Sequence, residues 1–369
     1  MCRARFPPGL ILFGLTAGPK LKRLAVAGSA LVFLAGSALA QVSPPPVPHP
    51  NPVQELRVIG FAGGFNLPIW AGQRQGYFAD EGIRVDLTYT PNSVYQITNL
   101  LAGHYDVAMT AIDNVIAYQE GQNEAPIGPN PDLFAFFGSD NAFLSLVSQQ
   151  PYQQIEDLKG KTLTVDAMTT GFAFVLREIL ALNGISEQQV KFERAGGVAS
   201  RFRAMLENPK HAATMQMTPF ELQGQARGLN TLVRAEEALG RPYQGMVGAA
   251  RRSWAAENRE VVEGFIRAYQ RSVGFLADPQ NRPVAEALLV ANVSQMTPDL
   301  AKRAYDVLMA PDTGFYRDVA LNEEGIRTVL ALRSKYGEPR KELTDPAPYI
   351  DVSFRERALS QAGAQSTQN

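Results

Sequence analysis

A short β-branched run followed at once by an amphipathic helix sets the frame for this chain. Thr162, Leu163, Thr164, Val165 and Asp166 read as a strand, and Phe172, Val175, Leu176, Ile179 and Leu180 recur at helical spacing before Asn183-Gly184 supplies a stop. The same order repeats upstream. Strands are predicted over 56–61, 83–87, 106–111 and 133–137, and helices over 68–76, 93–102 and 113–119. Strands alternating with helices at this spacing predict a parallel sheet covered on both faces, with ligands at the carboxyl ends of its strands. The loops to watch are therefore 63–67, 110–114, 138–141 and 166–171.

The turn at 166–171 has its own chemistry. Thr169 or Thr170 is placed to cap the helix, and Gly171 opens its first turn without a side chain. Helix starts carry free N–H groups and partial positive charge, so the amides of Thr170, Gly171 and Phe172 form a candidate seat for the anionic or strongly accepting end of a ligand. Threonines before a helix are more often simply caps. The glycines at 60, 63 and 64 do not follow the dinucleotide G-x-G-x-x-G spacing, and Pro68 follows closely, so a nucleotide loop is rejected.

Composition narrows the classes. In this 369-residue chain Lys20, Lys22 and Arg23 precede the apolar run 24–36, and Ala38-Leu39-Ala40 forms a small-residue cleavage site. An export signal is expected over 1–40, with the mature chain beginning at Gln41 in the periplasm; Leu21-Lys22-Arg23 looks more like a natural start than Met1. Removing the signal takes away Arg3, Arg5, Lys20, Lys22 and Arg23 and no acidic residue, so 35 basic and 36 acidic residues become a formal charge of −6. That argues against nucleic acid or an anionic membrane as partner. Cys2 is the only cysteine and is lost with the signal; His49, His104 and His211 are the only histidines and lack ligand spacing. No metal or cofactor is expected. Residues 41–54, rich in proline, read as an extended tether.

Gly76-Tyr77-Phe78 with Glu81-Gly82-Ile83, Leu101-Ala102-Gly103 with Asp106-Val107-Ala108, and Ile155-Glu156-Asp157-Leu158-Lys159-Gly160-Lys161 before the strand–turn–helix unit stand in consistent order over about residues 55–340. Together they closely resemble periplasmic solute-binding proteins of ABC importers, in the subfamily that binds nitrate, taurine and other sulfonates, and pyrimidine precursors of thiamine. The resemblance implies an α/β, two-lobed periplasmic-binding-protein fold of type II, with two crossing hinge segments and a ligand cleft between the lobes. It implies as partners a small solute, taurine- or sulfonate-like or pyrimidine-like, and an ABC permease with its ATPase in the inner membrane, the binding protein itself acting as a monomer. The apolar run 143–148 fits the first crossing and 246–250 the return. Lobe 1 is then 55–143 with 250–357, lobe 2 is 144–249, and 358–369 is a polar, frayed tail. One departure is His211-Ala212, where the family commonly has an aspartate-alanine pair.

The candidate ligand-binding residues come from the loops at the cleft. Asp113, Asp140 and Asp166 each follow a predicted strand; aspartate is a common cap, but one facing the cleft would pair with an ammonium or accept from a ring N–H. Phe65 and Trp70, near Phe61, are candidate walls for the organic part of a ligand, with Asn66, Thr110, Asn114, Ser139, Thr169, Thr170, Gly171, Phe172, Gly196 and Gly197 around them. No pair of carboxylates and no Ser/His/Asp order stands out, so binding is expected in preference to catalysis. An enzyme on the same two-lobed fold, or a periplasmic solute sensor, is the alternative.

Overall fold

The computed structural model describes residues 54–366, with side chains to Ser360; the expected signal, its cleavage site, Cys2 and nearly all of the proline-rich tether lie outside the described residues. Ten strands form two five-stranded sheets. The first contains β1 (Gln54–Gly60), β2 (Ile83–Tyr89), β3 (Val107–Ala111), β4 (Phe134–Gly138) and β10 (Met246–Ala250), in the order β2-β1-β3-β10-β4. The second contains β5 (Leu144–Ser148), β6 (Thr162–Val165), β7 (Lys191–Arg194), β8 (His211–Met217) and β9 (Asn230–Arg234), in the order β7-β6-β8-β5-β9.

The parallel expectation needs correcting. β1 is parallel to β2 and β3, and β6 to β7 and β8, but β10 lies antiparallel between β3 and β4, and β5 antiparallel between β8 and β9. The reason is connectivity: each inserted strand enters from the other sheet and so needs no covering crossover helix to set its direction. Residues 143–148 and 246–250 are therefore mostly central strands, and the crossings themselves are the short segments just before them. β3, β4, β5 and β10 are buried along their whole length, as continuous apolar strands covered on both faces should be. At one sheet edge β2 alternates buried and exposed residues over its first half. Asn230–Arg234 was not anticipated as a strand; its residues are only half-buried and polar at both ends, so its pairing with β5 decides its state.

Helix Arg259–Ala277 returns the chain to the first sheet, where Phe265 stacks on Phe78 at 5.4 Å and Tyr269 lies 4.9 Å from Phe137. Helix Ser353–Ser366 is held at its start by Phe354, 5.5 Å from Phe134, and by buried Ala358, so the described chain is helical into the expected tail 358–369, whose last three residues lie outside the described residues. Helix Glu323–Tyr336 packs against both Ile112–Gln119, which follows β3, and Gly171–Leu182, which follows β6. It thus touches both halves of the molecule. Where His211 replaces the expected acid, its ring lies 3.2 Å from Glu193 and 3.0 Å from the Ala204 carbonyl at the entry to β8.

Candidate functional site

Helices that follow β3 and β6 start facing one another across the gap between the sheets. Gly171, the first residue of the β6 helix, donates its N–H to Asp113 Oδ2 at 2.5 Å, and Asp113 belongs to the helix after β3. The Thr170 hydroxyl donates to the Ala167 carbonyl and makes no cap. The expected threonine cap is thus corrected: a carboxylate 58 residues away in sequence does the work, because a charged acceptor at a helix start outcompetes a hydroxyl. It also takes the Gly171 donor that the sequence offered to a ligand. A Cβ on Gly171 would overlap the Asp113 carboxyl carbon, so the absent side chain is what allows the approach.

Arg333 completes this contact. Its Nη1 lies 2.6 Å from Asp113 Oδ1, and the two side chains are 0% and 1% exposed. Its remaining donors reach Gln122 Oε1 and the Gln122 and Thr169 carbonyls at 3.0–3.3 Å. The reciprocal contact runs the other way: Asp166, after β6, accepts from the Ser93 N–H at 3.0 Å, where helix Ser93–Leu101 begins. Pro91 O then accepts from Gly197 N at 2.8 Å. Each half of the molecule caps a helix of the other.

Beside these contacts lies a cavity lined by Phe61, Ala111, Asp113, Asn114, Asp166, Thr170, Gly171, Phe172, Val198, Arg201, Met217 and Met246. It holds about 30 Å³, within a recess of about 410 Å³ that includes its mouth. Two charged groups in its wall keep unused hydrogen-bonding capacity. Asp166 Oδ1 is covered from solvent and has no partner; Arg201 is 3% exposed, gives Nη1 to Gly196 O and Nη2 to Met215 O, and keeps Nε unpartnered. They form no ion pair with each other. Burial raises the Asp166 carboxyl above the usual carboxylate range, against the pull of Arg201 and the Ser93 N–H. Burial likewise lowers the Arg201 guanidinium, with Asp166 opposing it.

Of the sequence candidates, Asp113, Asn114, Asp166, Thr170, Gly171 and Phe172 line this cavity. The others sit elsewhere. Asn66 donates to the Phe61 and Gly63 carbonyls of its own loop, Trp70 donates to the Tyr89 hydroxyl, and Phe65 is core. Thr110 accepts from Asn114, while Thr169 and Gly196 turn their carbonyls to the two arginines, and the Gly197 amide is spent on Pro91. Ser139 and Asp140 belong to the crossings. Asp140 Oδ1 accepts from the Ala142 and Met246 amides, its Oδ2 from Ser139 Oγ, and its carbonyl from Gly245 N, tying the outgoing crossing to the returning one. Ala142 and Phe143 beside it take the left-handed conformation at φ 76° and 47°.

Arg201 and Arg333 went unread in the sequence, although each leaves a signal. Val198, Arg201, Phe202 and Met205 share one buried stripe, as do Ile326, Val329, Leu330 and Arg333. An arginine in the apolar stripe of a helix needs a buried partner.

Two α/β halves, each with one strand contributed from the other side and a cavity where their helix starts meet, define the periplasmic-binding-protein fold. The sequence profile of the NMT1/THI5-like family matches residues 66–282, and the chain belongs to that family. It is 26% identical over 253 residues to the riboflavin-binding protein RibY of Chloroflexus aurantiacus, covering 64% of this chain and 68% of that protein. Among solved structures, the alkanesulfonate-binding protein SsuA of Xanthomonas axonopodis pv. citri bound to MOPS superposes with a TM-score of 0.64 at 16% identity, over 80% of this chain and 98% of that one. The nitrate-binding protein NrtA of Synechocystis PCC 6803 superposes with a TM-score of 0.66 at 10% identity, over 84% and 89%.

Proposed function

We propose that this chain is the extracytoplasmic solute-binding subunit of an ABC importer and that its solute is a small, flat, pyrimidine-like heterocycle. One observation carries the choice of solute: Asp166 and Arg201 line one small cavity walled by Phe61, Phe172, Val198, Met217 and Met246, and each keeps a covered polar atom without a partner, Oδ1 an acceptor and Nε a donor. A ring that presents an N–H and a carbonyl or ring nitrogen on one edge satisfies both atoms, while its faces take the apolar walls. The likeness to a protein named for binding riboflavin agrees with a flat heterocyclic solute. A cavity of about 30 Å³ is room for about two waters, so such a solute enters with the halves apart and is enclosed as they meet. Catalysis is the weaker reading, because no pair of carboxylates and no Ser/His/Asp order stands out among the residues.

The test is native mass spectrometry of protein recovered from the periplasm, followed by a thermal-shift screen of pyrimidines, flavins, taurine and alkanesulfonates. A cognate heterocycle at one hundred times its dissociation constant should add about 2.7 kcal/mol of stability. Asp166→Asn and Arg201→Met should each remove most of that gain. Stabilisation by taurine or an alkanesulfonate alone would discard the pyrimidine assignment, and a mature chain that retains residues 1–40 in the cytoplasm would discard the importer.

A further inference from the structure

We infer that Asp113 is a specificity-determining residue: its carboxylate occupies the cleft's own anion seat and so bars negatively charged solutes. The inference rests on reading the cleft as a solute site, and it concerns what that site refuses. The seat is the Gly171 N–H at the start of a twelve-residue helix together with the guanidinium of Arg333, which reach the two Asp113 oxygens at 2.5 and 2.6 Å. Arg333 is 0% exposed, and its other acceptors are neutral oxygens, those of Gln122 and the Thr169 carbonyl. Asp113 is therefore the one anion it holds.

A buried guanidinium beside a helix start is what a carboxylate or sulfonate would otherwise find attractive. Here the anion is part of the chain. It sits beside Arg333 and comes from the half opposite the Gly171 helix, so the N–H of the seat is taken when the halves meet, and a free anion has to compete with an intramolecular one. The cation in the cavity wall, Arg201, is balanced in charge, without an ion pair, by Asp166 in the same wall. An incoming anion thus gains no unmatched positive charge and faces two carboxylates, whereas a solute without net negative charge loses nothing. Gly171 belongs to the same device, since any side chain there would hold Asp113 off.

Chemical rescue tests the seat without knowledge of the solute. In Asp113→Ala the cut side chain leaves Arg333 and the Gly171 amide facing a gap the size of a formate ion. Adding sodium formate should raise the melting temperature of this variant saturably, by several degrees over sodium chloride of equal ionic strength. The rise should vanish in Asp113→Ala combined with Arg333→Met. Wild type, in which the seat is filled, should gain nothing from formate or methanesulfonate beyond the chloride control. A folded Asp113→Ala that shows no formate-specific rise overturns the inference. So does saturable stabilisation of wild type by either anion, a measurement that stands even if the variant does not fold. Failure to find any heterocyclic solute would count against the proposed function and leave these outcomes unaffected.

Discussion

At the scale of single residues, the hidden charges divide by what they hold. Asp113 with Gly171 and Asp166 with Ser93 hold one half of the molecule to the other, whereas Asp140 holds the two crossings together. Burial pushes the Asp140 carboxyl up to about 6, although two amides and Ser139 favour its ionised form. The folded protein therefore keeps a proton there that the unfolded chain, titrating near 4, gives up. Between about pH 4 and 6 the native state binds more protons, so this group lowers stability as pH rises through that window, by roughly 3 kcal/mol in all. Asp140→Asn retains an acceptor for the amides and removes the titration. Urea unfolding from pH 4 to 7 should show a wild-type minus Asp140→Asn stability difference that falls across the window; a flat difference would place the Asp140 pKa at an ordinary value. Ser139, read from sequence as a ligand contact, serves this same node through Asp140 and the Tyr269 hydroxyl.

At the scale of elements, the helix Gly171–Leu182 shows how far a cap can come from. Strand, turn and helix were all legible locally, because β-branched residues, a glycine and a 3.6-residue apolar period each act over a few residues. The capping group was not legible, since Thr170 is a reasonable cap on local grounds and nothing local announces Asp113. The two assignments differ in energy. Thr170→Ala removes one hydroxyl bond to the Ala167 carbonyl and should cost about 1 kcal/mol or less. Asp113→Ala leaves Arg333 buried without its counter-charge and should cost about 3–5 kcal/mol. Denaturant unfolding of both variants at pH 7 decides it: equal losses would return the cap to Thr170.

At the scale of the whole molecule, the two sheets are joined by contacts that form only when their facing ends meet. Besides the two carboxylate caps, Met168 N donates to Glu124 at 2.6 Å, Arg194 pairs with Glu124 at 3.1 Å, and Lys335 pairs with Glu178 at 2.6 Å. Most of these pairs are partly exposed and individually weak. Asp113 is fully buried against the helix start, so it should dominate the closed state. Gly171→Val puts a branched side chain where the Asp113 carboxylate lies and should shift the population towards separated halves. Small-angle scattering should then report a larger radius of gyration for Gly171→Val than for wild type, with the circular dichroism of the two proteins alike. Identical scattering would mean that the crossings alone set the closed geometry.

What the sequence by itself determined is the set of interactions that act over short stretches: the first four strands, the strand–turn–helix unit from Thr162, the main helices and the family pattern of residues 66–282. Tertiary structure decided three things that depend on pairs far apart in the chain. It set the antiparallel direction of β5 and β10, because each arrives from the other sheet. It assigned the candidate aspartates to different tasks, since a carboxylate's role follows from the donors packed against it, and those for Asp113 come from residues 171 and 333. It also brought Arg201 into the cavity opposite Asp166, where a position on a helix's buried stripe reveals only that a partner is required. Hydrophobic periodicity is written in neighbours, but the partner of a buried charge is fixed by the closure of the fold, which no short stretch contains.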